Sequence, residues 1–440
     1  MPLLRQLSYT DPEYRASVEA LHERLRRGDL AASAEGRDID VVRVVGDILE
    51  RVHRGGDAAI AELTSQLDRA HITPATLRVS ERQLAEAHAQ ADPEYLALVR
   101  GAIKNVRAYQ EHIRVRAPEP LERNGRLLGV RYSPIDRVGV YVPGGRALYP
   151  STVVMTVVPA QVAGVSEIVM VSPPTGGDVH PLALALAAEL GIREVYRMGG
   201  AVAIGALAYG TESIKAVHKI VGPGNAFVAE AKRQVFGQVG IDAIAGPSEV
   251  FIVADDIAPA AWVAADLLAQ AEHDPGSAIL ATPSVSLAAA VQHQIERQLV
   301  SLERRDAIAS ALERYSAIVL TRDLDEACEW ANLFAAEHLQ IMTRDDTRCL
   351  ERIRHAGAIF VGIHTPVPLG DYFAGPSHVL PTGGTARYFG ALSCNDFLKA
   401  TSVLNYDANA LREDAQSVEQ FAAREGLTAH AAALHQRRRH

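Results

Sequence analysis

Cysteine is scarce in this chain of 440 residues. Only Cys328, Cys349 and Cys394 occur, and no two of them have the CxxC spacing. An odd number of cysteines at such spacings argues against a disulfide framework and against a zinc site made of thiolates. The chain also lacks a run of about 18–20 apolar residues, so we expect no membrane-spanning helix.

The net charge and the N-terminal sequence indicate which partners and which location to expect. The formal net charge is -9, which gives no general electrostatic reason to bind nucleic acid or an anionic membrane. The one dense basic run, 437–439, is typical of a solvated tail. The N-terminus lacks the basic segment followed by an apolar segment that marks a secretion signal. We therefore expect a cytoplasmic protein without nucleic-acid or membrane partners.

Two stretches of alternating strand and helix patterns indicate the fold class. In both stretches, short apolar runs alternate with segments whose apolar residues recur at helical spacing. Such alternation with short Gly/Pro turns predicts α/β units, that is, parallel sheets with helices on both faces. The predicted strands are 138–142, 167–171, 194–198 and 216–221 in the first stretch, and 249–254, 278–281, 317–320, 339–343 and 358–361 in the second.

The other segments have helical patterns. Apolar residues recur at helical spacing over 41–67, with a break at 55–56, and again over about 94–114. The first 30 residues and the stretch from about 393 are also mostly helical in pattern, and each is too small to form a core alone. We therefore expect helical terminal pieces around two α/β units.

Three glycine-rich turns, 143–145, 199–200 and 222–225, follow predicted strands and precede predicted helices. In that context backbone N–H groups and a helix N-terminus can face an anion at the carboxyl ends of the strands. None of the turns matches GxGxxG, and glycine also serves any tight strand-to-helix turn. The turns alone leave a nucleotide site and a purely structural role equally open.

Two short motifs combine side chains that can carry chemistry. Gln270 and His273 are three positions apart at the end of the predicted helix 260–273, so both project from one face of its last turn. They can bind a metal, or His273 can simply interact with the terminal carbonyl groups. Glu337 and His338 are neighbours at a helix-to-strand junction. An irregular junction allows them to act as an acid/base pair, and a plain ion pair is the alternative.

Two further motifs lie towards the C-terminus. The segment 370–387 is rich in turn residues and carries Asp371 and His378, which favours a binding loop over a scaffold. Glu425 and His430 lie in a terminal segment that would ordinarily drift. Oxygen and imidazole ligands together suit zinc or a similar divalent ion. The irregular spacing between the clusters does not by itself establish a metal site.

Taken in order along the chain, these motifs resemble the histidinol dehydrogenase family. The resemblance covers nearly the whole chain, and several motifs are too long for coincidence in this order. The matching segments are RVGVYVPGG at 137–145, GPGNAFV at 222–228, AGPSE at 245–249, DLLAQAEH at 266–273, AEHL at 336–339, GDY at 370–372, HVLPT at 378–382 and EGLTAH at 425–430.

The resemblance implies a role for each matched polar residue in a zinc- and NAD-dependent enzyme. The implied zinc ligands are Gln270, His273, Asp371 and His430. The implied acid/base pair is Glu337 and His338. The implied substrate contacts are Ser248, Gln270, His273, His338, Asp371, His378, Glu425 and His430, and the implied NAD contacts are Tyr141 and Asn225.

The resemblance also implies a homodimer whose active site is shared between subunits. In that family the last zinc ligand comes from the partner, which would explain why a terminal segment carries Glu425 and His430. The implied organisation is two incomplete Rossmann-like units with intertwined terminal pieces. The expected pieces are 1–30 (N-terminal, helical), 31–140 with 248–392 (α/β, most of the active site), 141–247 (NAD-binding) and 393–440 (C-terminal, helical, reaching the partner's site).

The implied reaction is the oxidation of L-histidinol through L-histidinal to L-histidine with two NAD, the last step of histidine biosynthesis. Zinc would orient the imidazole and amine of the substrate. His338 would take the alcohol proton, and Glu337 would activate water to attack the aldehyde. No cysteine lies in a matched motif, so a thiohemiacetal is not expected.

One position departs from the family pattern. Val202 stands where the family has a glutamine that contacts the cofactor. Its side chain cannot form a hydrogen bond, and loss of one such bond costs on the order of 1 kcal/mol. We therefore expect slightly weaker NAD binding.

Two alternative functions share features with these motifs: oxidation of another small diol, and metal binding without catalysis. Related dehydrogenases that oxidise dihydroxypropane-sulfonate share the zinc and Glu-His framework, but the segments 149–151, 378–382 and 425–427 favour the histidinol branch. A non-catalytic metal-binding protein of the same fold would have no need of the acid/base pair.

Overall fold

The computed structural model describes residues 3–26, 40–144, 150–273 and 276–438. Parts of four predicted features lie outside the described residues. They are 1–2 and 27–39 in the N-terminal region, 145–149 at the end of the first glycine turn and after it, 274–275 after the helix that carries Gln270 and His273, and 439 in the basic tail. None of the described helices is long and apolar enough to cross a bilayer. The three cysteines are all free and buried.

The described chain contains both strands and helices. The strands are β1 (Arg5–Ser8), β2 (Leu121–Arg123), β3 (Arg126–Pro134), β4 (Arg137–Tyr141), β5 (Glu167–Ser172), β6 (Glu194–Arg197), β7 (Lys219–Val221), β8 (Gly240–Ile241), β9 (Ser248–Ala254), β10 (Gly276–Thr282), β11 (Ala317–Leu320), β12 (His338–Met342), β13 (Ala358–Val361) and β14 (Leu398–Tyr406). The helices are α1 (Tyr14–Arg26), α2 (Val41–Leu67), α3 (Glu81–Gln90), α4 (Pro93–Ile113), α5 (Pro150–Ala163), α6 (Pro181–Glu189), α7 (Gly200–Tyr209), α8 (Ala226–Val235), α9 (Ala260–Ala271), α10 (Val285–Leu299), α11 (Arg305–Tyr315), α12 (Leu324–Phe334), α13 (Asp346–Arg352), α14 (Val367–Tyr372), α15 (Ala408–Arg424) and α16 (Thr428–Arg438).

The larger sheet has six parallel strands in the order β1-β11-β10-β9-β12-β13. Successive residues of a strand face opposite sides of a sheet. In β9, Val250 and Ile252 therefore pack against α9, α10 and α11, whereas Phe251 and Val253 pack against α1 and α12. Because helices cover both faces of the six-stranded sheet, the strands of this sheet are continuous apolar runs.

The smaller sheet has five parallel strands in the order β6-β5-β4-β7-β8. Helices α3 to α6 cover one face, and α2, α7 and α8 cover the other. The break expected in α2 is present, because Gly56 has a non-helical backbone with φ 51° and ψ -140°. The α/β class with parallel sheets is therefore confirmed.

The packing corrects two expectations about the segments around these sheets. Helices of the expected unit 31–140 pack on the five-stranded sheet, not on the sheet formed by 248–392, because the apolar side chains of α2 lie against α7 and α8 and those of α4 against α5. The expected N-terminal piece 1–30 is not helical alone. Its four-residue strand β1 extends the larger sheet beside β11.

A small antiparallel sheet, β14-β3-β2, carries the C-terminal segment. The expected helical piece 393–440 begins with the nine-residue strand β14, which pairs with β3 along its length. This strand was missed because most of its residues are exposed and show no alternation of apolar and polar side chains. Helices α15 and α16 follow, and we call β14, α15 and α16 the C-terminal arm.

Candidate active site

The candidate acid/base residues lie at the amino ends of two neighbouring strands. β9 and β12 pair in parallel with His338 opposite Val250, so Glu337 lies close to Ser248 and Glu249. This site is therefore at the amino edge of the six-stranded sheet. The predicted glycine turns lie elsewhere, at the carboxyl ends of β4, β6 and β7 in the five-stranded sheet.

Glu337 is held by two donors. Its Oε2 accepts hydrogen bonds from the Ser248 hydroxyl at 2.5 Å and from the backbone N–H of Glu249 at 3.0 Å. Helix α12 ends at Phe334, and the left-handed backbone of the capping residue Ala335 (φ 46°) turns the chain before β12. This irregular junction lets neighbouring side chains meet: Glu337 Oε2 is 3.6 Å from His338 Nδ1. The acid/base pair is therefore brought together.

His338 is buried between carboxylates. Its Nδ1 donates to the Glu249 carbonyl at 3.0 Å, so Nε2 is the ring atom left for proton transfer, and Nε2 lies 3.4 Å from Asp371 Oδ1. Burial favours the neutral ring, but Glu337, Asp371 and the Glu249 carbonyl outweigh burial and raise the pKa of His338 to about 9.

The loop after β13 brings Asp371 and His378 together, as its composition suggested. His378 Nδ1 donates to the Asp371 carbonyl at 2.9 Å, and its Nε2 lies 3.3 Å from the Thr152 hydroxyl on α5. Burial lowers the pKa of His378, and the neighbouring imidazoles of His338 and His273 act in the same direction. His378 thus reaches from the six-stranded sheet to a helix of the five-stranded sheet.

Gln270 and His273 adjoin this cluster at the end of α9. Gln270 is buried, and its side-chain nitrogen has no hydrogen-bond partner. His273 is exposed, and its imidazole is close enough to His378 to lower the pKa of that ring. A carboxamide oxygen, an imidazole and a carboxylate are donor types that suit zinc, and no hydrogen bond holds the buried amide nitrogen of Gln270 in place. Within the described ranges, no three His, Cys, Asp or Glu side chains of this single chain already form a metal-binding group.

Glu425 and His430 do not join the site within one chain. Both are exposed, Glu425 at the end of α15 and His430 in α16. Neither makes a hydrogen bond or ion pair with Gln270, His273 or Asp371 in the part of the chain that the structure describes.

The predicted NAD contacts flank the glycine turns. Tyr141 ends β4, is buried, and its hydroxyl accepts a hydrogen bond from Gly200 N–H at 3.2 Å; burial raises its pKa to about 12. Asn225 is exposed and caps α8 by accepting from the N–H groups of Phe227 and Val228. A Cβ at Gly200 would enter open space at the N-terminus of α7, so this turn leaves room for a ligand.

Val202 lies in the apolar core of the five-stranded sheet and is 1% exposed. In α7 it packs as an ordinary core residue. Its effect on NAD binding stays a prediction.

Three polar residues that the sequence did not single out support these turns and strands. Lys232 Nζ donates to the Gly222 carbonyl at 2.7 Å and to Asp242 at 2.5 Å, while Asp242 accepts from Gly222 N–H at 2.7 Å. Glu249 links Glu337 to His338 through its main chain. Only Glu249 had a signal, because it stands inside the matched AGPSE segment.

The close approach at Gly222 predicts a local stability effect. Gly222 has φ +116°, and a Cβ there would collide with the carbonyl oxygen of Tyr141, whereas exposed Gly237 has φ +106° and no neighbour within 4 Å of its Cβ position. Gly237→Ala should cost roughly 1–3 kcal/mol from backbone strain alone. Gly222→Ala should cost about 1–3 kcal/mol more, because the backbone must move. Urea unfolding of both variants at one protein concentration measures the difference, and equal losses would contradict the collision.

Comparison with known proteins identifies relatives of this chain. A family model described as Histidinol dehydrogenase matches residues 32–438. Histidinol dehydrogenase from Rhodopirellula baltica is 51% identical over 429 residues, covering 95% of this chain and 93% of that protein. The enzyme of that name from Geobacillus kaustophilus is 48% identical over 415 residues, covering 94% of this chain and 97% of that protein.

The fold agrees as well. The crystal structure of histidinol dehydrogenase from Elizabethkingia anophelis superposes with a TM-score of 0.91 at 30% identity, covering 99% of this chain and 98% of that chain. The resemblance inferred from the motifs is thereby confirmed over almost the full length. The chain belongs to the histidinol dehydrogenase family.

Proposed function

We propose that this protein oxidises L-histidinol through L-histidinal to L-histidine and reduces two NAD in doing so. The observation that carries the proposal is the buried cluster of Glu337, His338 and Asp371 in a chain of this family. The first oxidation removes a hydride and a proton from the alcohol. The second adds water to the aldehyde before another hydride leaves, so the enzyme needs a base for each half-reaction.

We assign zinc binding to Gln270, His273 and Asp371, with His430 of the partner subunit completing the set. Two observations support this choice: the buried amide nitrogen of Gln270 has no hydrogen-bond partner, and the Asp371 carboxylate lies beside His338. Zinc, when bound, supplies a positive centre for the imidazole and amine of the substrate. A cation on Asp371 would offset one of the charges that raise the pKa of His338, so the value of about 9 describes the site without a cation.

His338 is the base for the alcohol proton. Its Nδ1–H is fixed on the Glu249 carbonyl, so the proton moves at Nε2. Burial of the ring keeps bulk water from competing for that atom.

Glu337 is the base for water. Its Oε2 is occupied by Ser248 and Glu249, which orient the carboxylate, so a water molecule can meet the remaining lone pairs. The proton of the attacking water passes to this carboxylate, and the new hydroxyl adds to the aldehyde carbon.

We assign NAD to the carboxyl edge of the five-stranded sheet, near Tyr141 and Asn225. The open space at Gly200 and the helix N-terminus behind it favour a phosphate group there. NAD, when bound, supplies the hydride acceptor for both oxidations. His378, which contacts α5 through Thr152, lies between this edge and the acid/base pair.

We further propose a homodimer in which the C-terminal arm reaches the partner's site. Large apolar side chains of the arm are exposed, including Leu404 at 68% and Phe421 at 72%. Apolar surface of this kind is typical of an interface. The same arm carries Glu425 and His430, which would then act as substrate and zinc ligands across the interface.

Oxidation of a dihydroxypropane-sulfonate is the alternative activity. The relatives and the solved structure described above carry the name histidinol dehydrogenase, which favours histidinol. The substrate assay below distinguishes the two.

The proposed reaction predicts two NADH for each L-histidinol consumed. Absorbance of NADH should rise to this stoichiometry, should fall to background after chelation, and should return when zinc is added, because the substrate-binding centre is lost and restored. Turnover of another diol without turnover of histidinol would reject the substrate assignment.

The separate roles of the acid/base pair predict that Glu337→Gln harms the two half-reactions unequally. The amide keeps the hydrogen-bonded shape but cannot take a proton from water. We expect histidinal oxidation to fall about 10²–10⁴-fold, and histidinol oxidation to NADH to fall far less. Single-turnover kinetics with each substrate measures both steps. Glu326→Gln, a buried glutamate bonded to Arg322 outside the site, is the matched control. Equal losses in both steps would contradict this role.

The shared site predicts complementation between defective subunits. His273→Ala and His430→Ala homodimers should each be inactive. A heterodimer contains one site with both ligands intact, so an equimolar random mixture should regain roughly a quarter of wild-type activity. The measurement is activity after unfolding and refolding the two variants together, with heterodimers confirmed by native mass spectrometry. Confirmed heterodimers without activity would argue that His430 acts within its own chain.

A further inference from the structure

Glu249 touches both members of the acid/base pair through its main chain. Its N–H donates to Glu337 Oε2 at 3.0 Å, and its carbonyl accepts from His338 Nδ1 at 3.0 Å. The peptide groups on either side of one residue therefore fix the base for water and the base for the alcohol. Any shift of the start of β9 moves both bases together.

The side chain of Glu249 makes a separate connection. Its Oε1 accepts from the backbone N–H of Gly383 at 3.2 Å, in a turn where Gly383 has φ +61° and Gly384 has φ +75°. The neighbouring Thr382 is buried, and its hydroxyl accepts from Gly246 N–H. This turn directly follows the segment that carries His378. The carboxyl group of Glu249 thus anchors the substrate loop to the strand that holds the bases.

The carboxyl group of Glu249 lies near that of Glu337. Both are buried, and two nearby carboxylates do not ionise together at low cost. The Glu337 oxygen has two donors, a hydroxyl and an N–H, whereas the Glu249 side chain has one N–H donor and its Oε2 has no partner. Burial, reinforced by the Glu337 carboxylate, raises the pKa of Glu249 to about 8. Glu249 is therefore expected to keep its proton at neutral pH.

We propose that Glu249, as a neutral carboxylic acid, is a positioning residue that couples the His378 loop to Glu337 and His338. The coupling rests on the proposed function only for its effect on catalysis. The protonation state and the anchoring of Gly383 are properties of the fold and can be measured without turnover.

The protonation state is tested by infrared difference spectroscopy at neutral pH. The wild-type protein should show a protonated carboxyl C=O band that shifts on deuteration and is absent from Glu249→Gln. Glu326→Gln is the matched control, because Glu326 is buried but paired with Arg322 and should keep the band unchanged. A spectrum in which Glu249→Gln removes no such band would overturn the proposal, whatever the substrate of the enzyme.

The positioning role is tested by kinetics with L-histidinol. Glu249→Ala frees the turn at Gly383, and we expect kcat/KM to fall about 10²-fold, with KM for histidinol rising more than KM for NAD. Glu249→Gln keeps an acceptor for Gly383 and mimics the neutral acid, so it should recover roughly tenfold or more of that loss. Glu326→Ala should lower the unfolding temperature without changing either KM.

The outcomes separate the two proposals. A Glu249→Gln enzyme as impaired as Glu249→Ala, with wild-type thermal stability, would mean that the carboxylate charge is required and would overturn the neutral role. Wild-type kinetics in Glu249→Ala would overturn the anchoring role. If the wild-type protein does not oxidise histidinol, the proposed function fails, and the infrared band still decides the state of Glu249. If Glu249→Ala does not fold, Glu249→Gln carries both measurements.

Discussion

The parallel pairing of β9 with β12 is the constraint on which the site depends. The register that sets His338 opposite Val250 brings the main chain at 248–249 alongside the junction before β12. The N–H and carbonyl groups of Glu249 then form hydrogen bonds with the carboxylate of Glu337 and the ring of His338. Because β9 and β12 are central and covered by helices on both faces, these groups cannot drift. The packed core around β9 and β12 therefore fixes the positions of Glu337 and His338.

The two sheets contribute opposite edges. The five-stranded sheet offers the carboxyl ends of its strands, where glycine turns and a helix N-terminus suit an anionic ligand, whereas the six-stranded sheet offers amino ends that carry the proposed bases. The loop from Asp371 to Thr382 joins them: His378 contacts α5, and Ser377 donates to the carbonyl of Met155 on the same helix. The proposed hydride and proton transfers require that these two sheet edges keep a fixed distance from each other. The contacts of His378 and Ser377 with α5 connect the two sheets within the loop that carries the proposed substrate contact.

Much of this could be predicted from the sequence, and the failures have physical causes. Apolar periodicity marked the parallel strands and the break at Gly56, because buried strands and helices differ in period. It missed β14, whose exposed residues lack a pattern, and it could not assign α2 to the correct sheet, since one apolar face fits either. Local chemistry left Glu337 and His338 open between an ion pair and a catalytic pair. The order of the motifs identified the family, but no motif gave the hydrogen bonds that make Glu249 the link between the bases.

The position of the C-terminal arm bears on the proposal that two subunits share each active site. Gln270, His273 and Asp371 lie against the main body, whereas Glu425 and His430 sit on an arm joined to it mainly through β3 and the bidentate pair of Arg126 with Asp414. An arm with exposed Leu404 and Phe421 gains stability only when another surface removes that apolar area from water. In the proposed homodimer, the contact that buries this arm would also order the residues it carries. Assembly and completion of the proposed metal site would then be one equilibrium, so dilution below the dimer's dissociation constant would remove zinc affinity and activity together.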